Sequence, residues 1–319
     1  MTHYSLAAFG DSFADQISSN KFSKGWFYYL SRELGIRSDR CYNCAESGTS
    51  IWWAYTNLLA FLDQGNTVDN IVFCLSSPGR IPLPFTHSRF SKNFEQECPM
   101  ISNDSYLYET ASDQGSHMLE VISKEYLTEK FIPNTKYSME DVFKIWFHVW
   151  DQPQTELDDT GYDKGNLIRF ISKYALQEVI KICKFKNINL VLMFPFGIDN
   201  FFNVVDNMYT SDDVSSFVRE NNDLLIVDNL DIVSRKEINF DGDSDLVEVI
   251  WYEDGDTVSH TDSRCNHLMN ENNQLLAKIL YSGIKGERTG VVHLNEHPNL
   301  CYNEKLFKKY GEVIKENQS

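Results

Sequence analysis

Residues 71–75 read Ile-Val-Phe-Cys-Leu, an unbroken apolar run of strand length. A strand with one wet face alternates apolar and polar side chains, so an unbroken run belongs to a sheet covered on both faces. Four further runs have strand character: 4–9, ending at Gly10; 41–45; 189–194, stopped by Pro195; and 224–227. Helical apolar spacing separates them, at 26–34, 50–62, 167–184 and 267–280. This alternation predicts an α/β fold, a three-layer αβα sandwich around a mostly parallel central sheet. The stretch 78–161 interrupts the alternation with helical spacing at 112–130 and 139–150, which predicts a helical insertion or cap after the third strand. Beyond Gly286 the signals fade. The expected organisation is one α/β domain over 1–286 and a C-terminal appendage over 287–319.

Composition narrows the function. A chain of 319 residues with 42% hydrophobic residues can bury a large core and house a dedicated site. The formal charge of −17, from 46 acidic and 29 basic residues, repels phosphate backbones and anionic lipid, so neither nucleic acid nor a membrane surface is an expected partner. No run reaches about 18 apolar residues, the minimum for a membrane-spanning helix. Residues 1–11 lack the basic region and long apolar stretch of a secretory signal, which points to a cytoplasmic protein. The seven cysteines are odd in number and irregularly spaced, as expected of reduced thiols.

Cofactor signals are weak throughout. Cys41 and Cys44 form a CxxC without a second pair, and half a site cannot close a zinc tetrahedron. His148 and Asp151 have no third ligand at helical spacing. The acidic stretch 241–245 lacks the twelfth-position Glu of a calcium loop and reads as a solvated turn. No glycine-rich phosphate loop occurs. The expected cofactor and metal complement is none.

In open α/β sheets ligands bind beyond the carboxyl ends of the strands, which directs attention to three loops. The first, Gly10-Asp11-Ser12-Phe13-Ala14-Asp15, follows the first strand. Gly10 permits a tight exit, and Ser12 then stands at the sheet edge, as a nucleophile or as a helix cap. The second, Asn43-Cys44-Ala45-Glu46-Ser47-Gly48-Thr49-Ser50, offers the Gly48 N–H to a developing oxyanion, or is a plain loop capped by Ser50. The third, Asp262-Ser263-Arg264-Cys265-Asn266-His267, places a histidine at a helix start with a carboxylate upstream. Serine is a weak nucleophile near neutral pH and needs an imidazole to take its proton, while a carboxylate fixes the tautomer of that imidazole.

The three loops together resemble the blocks of the SGNH (GDSL) hydrolase superfamily. Gly10-Asp11-Ser12 is similar to its nucleophile block, Gly48 to the glycine of its second block, and Asp262 with His267 to its final acid–histidine block; Leu268, Asn270, Leu276 and Ala277 continue that register. Phe13-Ala14-Asp15 and Trp26 resemble the variants encoded by tailed bacteriophages, which admits a virion-associated setting beside a cytoplasmic one. The resemblance covers about half of the chain and implies a flavodoxin-like sheet.

It also implies a serine esterase acting on small acyl esters, carbohydrate O-acetyl groups among them, with acyl transfer as adjacent chemistry. Ser12 is then the nucleophile, His267 the base and Asp262 its acid, although Asp262 stands five residues before His267 where the family usually places its Asp three before; Asp256 and Asp254, eleven and thirteen before, are the alternatives. The N–H groups of Ser12 and Gly48 form the oxyanion hole. The third block departs from the family: Leu75-Ser76-Ser77-Pro78-Gly79-Arg80 lacks the usual Asn donor. Losing one such donor costs on the order of 3 kcal/mol, about a hundredfold in rate, which Ser77 or Arg80 would offset. Asp11, Arg80, Trp146 and Trp150 are the expected substrate contacts, the last two from the cap; the Trp52-Trp53 pair is expected to pack the helix on which it lies. A catalytically weakened binding module with the same fold is the rival expectation.

Overall fold

The computed structural model describes residues 1–16, 24–46, 49–76, 80–82, 104–106, 167–205, 211–237, 249–253, 256–260 and 265–302. Six parallel strands form its centre: β1 (Leu6–Gly10), β2 (Cys41–Ala45), β3 (Asn70–Cys74), β4 (Asn189–Phe194), β5 (Leu225–Asp228) and β6 (Gly290–His293). Their spatial order is β6-β5-β4-β3-β1-β2, and every neighbouring pair is parallel. The chain runs from β1 to β2 in one direction, then crosses back over β1 to β3 and continues the other way. The reversal falls between β1 and β3, the switch point at whose carboxyl ends α/β sheets of this flavodoxin-like kind bind ligands.

The apolar runs explain the burial. In β3, Ile71 and Phe73 face one helical layer while Val72 and Cys74 face the other. All four are fully buried. Helices α2 (Ile51–Asp63), α3 (Leu167–Lys186), α4 (Ile198–Val205) and α5 (Ser211–Glu220) cover the first face. Helices α1 (Trp26–Glu33), α6 (Leu230–Glu237) and α7 (Asn270–Ile284) cover the second, with α1 laid along α7. Ser50 caps α2 by accepting the Trp53 amide at 3.1 Å. Trp52 and Trp53 are half-buried against the first-face core, as expected of packing residues.

The segment beyond Gly286 is a correction. Its residues Gly290–His293 pair with β5 in register and complete the sheet, so the α/β body does not end at 286. The strand has four residues with Gly and His at its ends, too few apolar positions to stand out in sequence. Helices α4, α5 and α6, of eight, ten and eight residues, were likewise not expected from the sequence. The final helix begins at Asn270, three residues later than expected, because Asn266 and His267 adopt left-handed backbone angles that no α-helix continues. Of the 78–161 insertion the description covers the short antiparallel pair Arg80–Pro82 and Asp104–Tyr106; its expected helices at 112–130 and 139–150 lie outside the described residues. Val249–Glu253 and Asp256–His260 form a second small antiparallel pair. Among the described residues no helix is long and apolar enough to cross a membrane.

Candidate active site

The loop that carries Ser12 is built by close strand packing and a chain of side-chain clamps. Gly10 ends β1 with φ 152°, and a Cβ there would lie 2.5 Å from Cys74 Cβ and 2.8 Å from its carbonyl oxygen on β3. Only glycine fits. Asp11 follows, fully buried. Its Oδ1 accepts the Phe13 amide at 3.1 Å and its carbonyl accepts the amides of Ala14 and Asp15 at 2.9 Å each. This turn, closed by an Asp side chain, carries Ser12 half-buried at the sheet edge. Asp11, expected beside the substrate, instead shapes the turn from within.

The carbonyls of residues 12–15 are all held by side chains from elsewhere. Asn266 Nδ2 donates to Ser12 O at 3.2 Å and to Asp15 O at 2.9 Å. Trp26 Nε1 donates to Phe13 O at 2.7 Å, and Asn43 Nδ2 to Ala14 O at 2.9 Å. A loop whose backbone groups are satisfied in this way is fixed rather than adaptable, the condition a preorganised nucleophile needs.

The second loop is tied to the same edge. The Glu46 amide donates to Gly10 O at 3.0 Å, the Thr49 hydroxyl reaches Gly10 O at 3.2 Å, and the Ser76 hydroxyl donates to Thr49 O at 2.6 Å. The exits of β1, β2 and β3 therefore meet around one point. Ser76 is buried at 2% exposure with its hydroxyl on Thr49, so the third-block hydroxyl nearest the sheet is committed to the scaffold.

The histidine loop reaches this point from the far end of the chain. Cys265–His267 forms a short turn in which Asn266 and His267 have φ 56° and 57°. Left-handed backbone at a non-glycine residue costs on the order of 1 kcal/mol, less for Asn, and persists where the surroundings enforce it. Here they do. Asn273, fully buried on α7, donates to Cys265 O at 2.8 Å and Leu268 O at 2.9 Å and accepts the Trp26 amide at 3.0 Å. Glu237, 1% exposed at the end of α6, accepts the Met269 amide at 2.8 Å and an amide proton of Asn272. The outcome is that the His267 ring packs on the Phe13 ring, centroids 4.8 Å apart.

One carboxylate near this cluster carried no sequence signal. Asp231, in the first turn of α6, donates its amide to Pro195 O at 2.8 Å, and the adjoining Phe196 packs edge-on to Phe13 at 5.5 Å. Burial pushes its carboxyl above the ordinary range; the Arg235 guanidinium at 2.9 Å and the nearby His267 draw it down, and Asp11 adds to the rise. It sits in a different βα unit from His267, which is why spacing along the chain could not flag it.

The loops that carry Asp11, Ser12 and His267 are thus joined, through Asn266 and the Phe13–His267 ring contact. Asp262, Gly48, Ser77, Trp146 and Trp150 lie outside the described residues, as does Asp254; for Arg80 and Asp256 the description covers the backbone. Among the described residues no group of three or more His, Cys, Asp or Glu is placed to hold a metal ion. None of the six described cysteines is in a disulfide, and Cys41 and Cys44, an odd number of residues apart on β2, point to opposite faces of the sheet.

No family model matches the chain, and no curated protein matches it in sequence. Among solved structures, a crystal structure of an acetyl xylan esterase overlaps with TM-score 0.36 and 12% identity, over 88% of this chain and 98% of the other. A likeness this faint carries no weight for fold or chemistry; both stand on the geometry above.

Proposed function

We propose that this chain is a serine hydrolase of small acyl esters. Ser12 Oγ attacks the ester carbonyl carbon while His267 takes its proton, and the resulting oxyanion is met by the backbone N–H groups of Ser12 and Gly48, with Ser77 or Arg80 as a further donor. The tetrahedral adduct collapses, the carbon–oxygen bond to the leaving alcohol breaks, and the imidazolium returns its proton to that alcohol. Water then repeats the sequence on the acyl-serine and releases the acid. Asp262 orients His267, and the 78–161 insertion supplies substrate contacts through Trp146 and Trp150. The substrate class includes O-acetylated carbohydrate. None of these steps calls on a metal or organic cofactor.

The observation that supports this reading is the junction of two loops 254 residues apart, in which the amide beside His267 bonds the Ser12 carbonyl and the imidazole lies on Phe13. Hydrolysis of p-nitrophenyl acetate by wild type and Ser12→Ala tests it, with fluorophosphonate labelling of Ser12 as an independent probe. The expected outcome is turnover and labelling in wild type and neither in Ser12→Ala. Turnover that survives the substitution unchanged sinks the mechanism. A binding module is the second reading, favoured by the missing third-block Asn and by the two-residue shift of Asp262; it is supported if wild type binds acyl esters without cleaving them.

A further inference from the structure

The His267 backbone is held in an uncommon conformation by a residue that belongs to neither reactive group. Asn266 is 1% exposed, and both protons of its side-chain amide are used, on Ser12 O and Asp15 O. Its Oδ1 accepts the Cys265 thiol at 3.5 Å. It occupies the left-handed region directly before His267, which does the same, and Asn is the side chain besides glycine that tolerates that region best.

A second residue in a distant part of the sequence is shaped to Asn266. Gly25, at the start of α1, has φ −75° and ψ 166°, extended angles open to any residue. Backbone freedom therefore does not explain the glycine. Space does: a Cβ at position 25 would overlap Asn266 Oδ1 and come within 2.8 Å of Cys265 Sγ.

We propose, on the reading of Ser12 and His267 as nucleophile and base, that Asn266 is a positioning residue for the reaction. Its amide fastens the histidine loop to the nucleophile loop and so sets the imidazole against the Ser12 turn, and Gly25 leaves the room it needs. The amide joins the flanks of the two reactive side chains, where a displacement of about 1 Å is enough to cost roughly a hundredfold in rate.

Three variants test this: Asn266→Gly, which keeps the left-handed backbone and removes the amide; Asn266→Asp, which turns two donations into repulsions; and Gly25→Ala, which alters neither reactive residue nor Asn266. Two readouts are taken. The NMR signals of the His267 ring report its place on Phe13, whose ring current displaces them, with Phe13→Leu as the reference for a lost ring. The rate of fluorophosphonate labelling reports the reactivity of Ser12. Each variant is expected to keep the wild-type circular dichroism spectrum, to move the His267 signals toward their Phe13→Leu positions, and to slow labelling on the order of tenfold to a hundredfold. Wild-type signals and wild-type labelling in Asn266→Gly overturn the proposal. If Asn266→Gly does not fold, Gly25→Ala carries the same two readouts. If wild type is not labelled at all, the nucleophile–base reading fails, while the NMR signals still decide whether Asn266 sets the imidazole: moved signals uphold that role and unmoved signals remove it.

Discussion

Two histidines stand at the carboxyl edge of the same sheet, and they are held in opposite ways. His293, the last residue of β6, has its Nδ1 2.8 Å from Oδ2 of Asp228 on β5. That carboxylate is 2% exposed and also accepts the Ile198 amide at 2.7 Å and Asn229 Nδ2 at 2.9 Å, while the imidazole is 43% exposed. By local geometry this is the better histidine–carboxylate pair. His267 instead sits on a strained turn against an aromatic ring, with Asp231 acting on it through space. Yet β6 is the sheet's outer strand, four strand spacings from β1, on the order of 19 Å at about 4.8 Å each. On the proposed reading a base is useful where nucleophile and oxyanion donors meet, and the strand order puts the exits of β1, β2 and β3 at the switch point. The lesson is that convergence of loops, rather than an oriented imidazole, marks the site.

The sharpest way to break this comparison is to remove each imidazole. His267→Ala is expected to lower p-nitrophenyl acetate turnover on the order of 10⁴-fold or more, the scale set by losing the base of a serine hydrolase. His293→Ala is expected to leave turnover within about twofold of wild type. A large loss in His293→Ala and none in His267→Ala would move the active site to the other end of the sheet.

A second pair of substitutions separates holding the fold from holding the site. Gly10→Ala drives a Cβ into Cys74 at a positive φ and is expected to cost about 3 kcal/mol, with activity lost alongside because Ser12 rides on the displaced turn. Asp228→Ala strips partners from the Ile198 amide, Asn229 and His293, and is expected to cost about 1–3 kcal/mol with turnover per folded molecule retained. Urea unfolding beside turnover measures both. Equal loss of turnover in the two variants would show that the whole sheet edge, and not its switch point, supports the chemistry.

These contrasts also show what the chain disclosed by sequence. Strands β1, β3, β4 and β5 were legible because burial on both faces demands apolar runs such as 71–75, and the loop of Ser12 was legible because it follows such a run; β2, whose first four residues are only half-buried, showed through its place between helical stretches. β6 was not, since Gly290-Val291-Val292-His293 is too short to carry a period. The clamps were not either: Asn43, Trp26 and Asn266 act on carbonyl oxygens, and nothing local in a sequence marks an amide that will find a distant carbonyl. The same holds for Glu237, whose partners Met269 and Asn272 come from another βα unit, and for the influence of Asp231 on His267. Spacing reveals what repeats along a helix or strand, while a tertiary hydrogen bond repeats nothing.

The smallest effect is also the most direct test of how differently the two histidines are coupled. Burial raises the carboxyls of both Asp228 and Asp231 above their ordinary range, and in each case a histidine pulls the value back down. For Asp228 the pull includes a direct hydrogen bond from His293; for Asp231 it is the field of His267, secondary to the Arg235 guanidinium. Removing the imidazole should therefore raise both carboxyls further, Asp228 in His293→Ala by more than Asp231 in His267→Ala. Carbon-13 titration of the two side chains reads this directly. The stability consequence has a definite sign. A carboxyl raised by folding favours the native state below the unfolded value of about 3.9 and loses that contribution as pH climbs through the native value, so His293→Ala extends the loss to higher pH. If His267→Ala instead moves Asp231 as far as His293→Ala moves Asp228, the two are more tightly joined than a through-space field allows, and Asp231 becomes a carboxylate that grips His267 in the reacting enzyme.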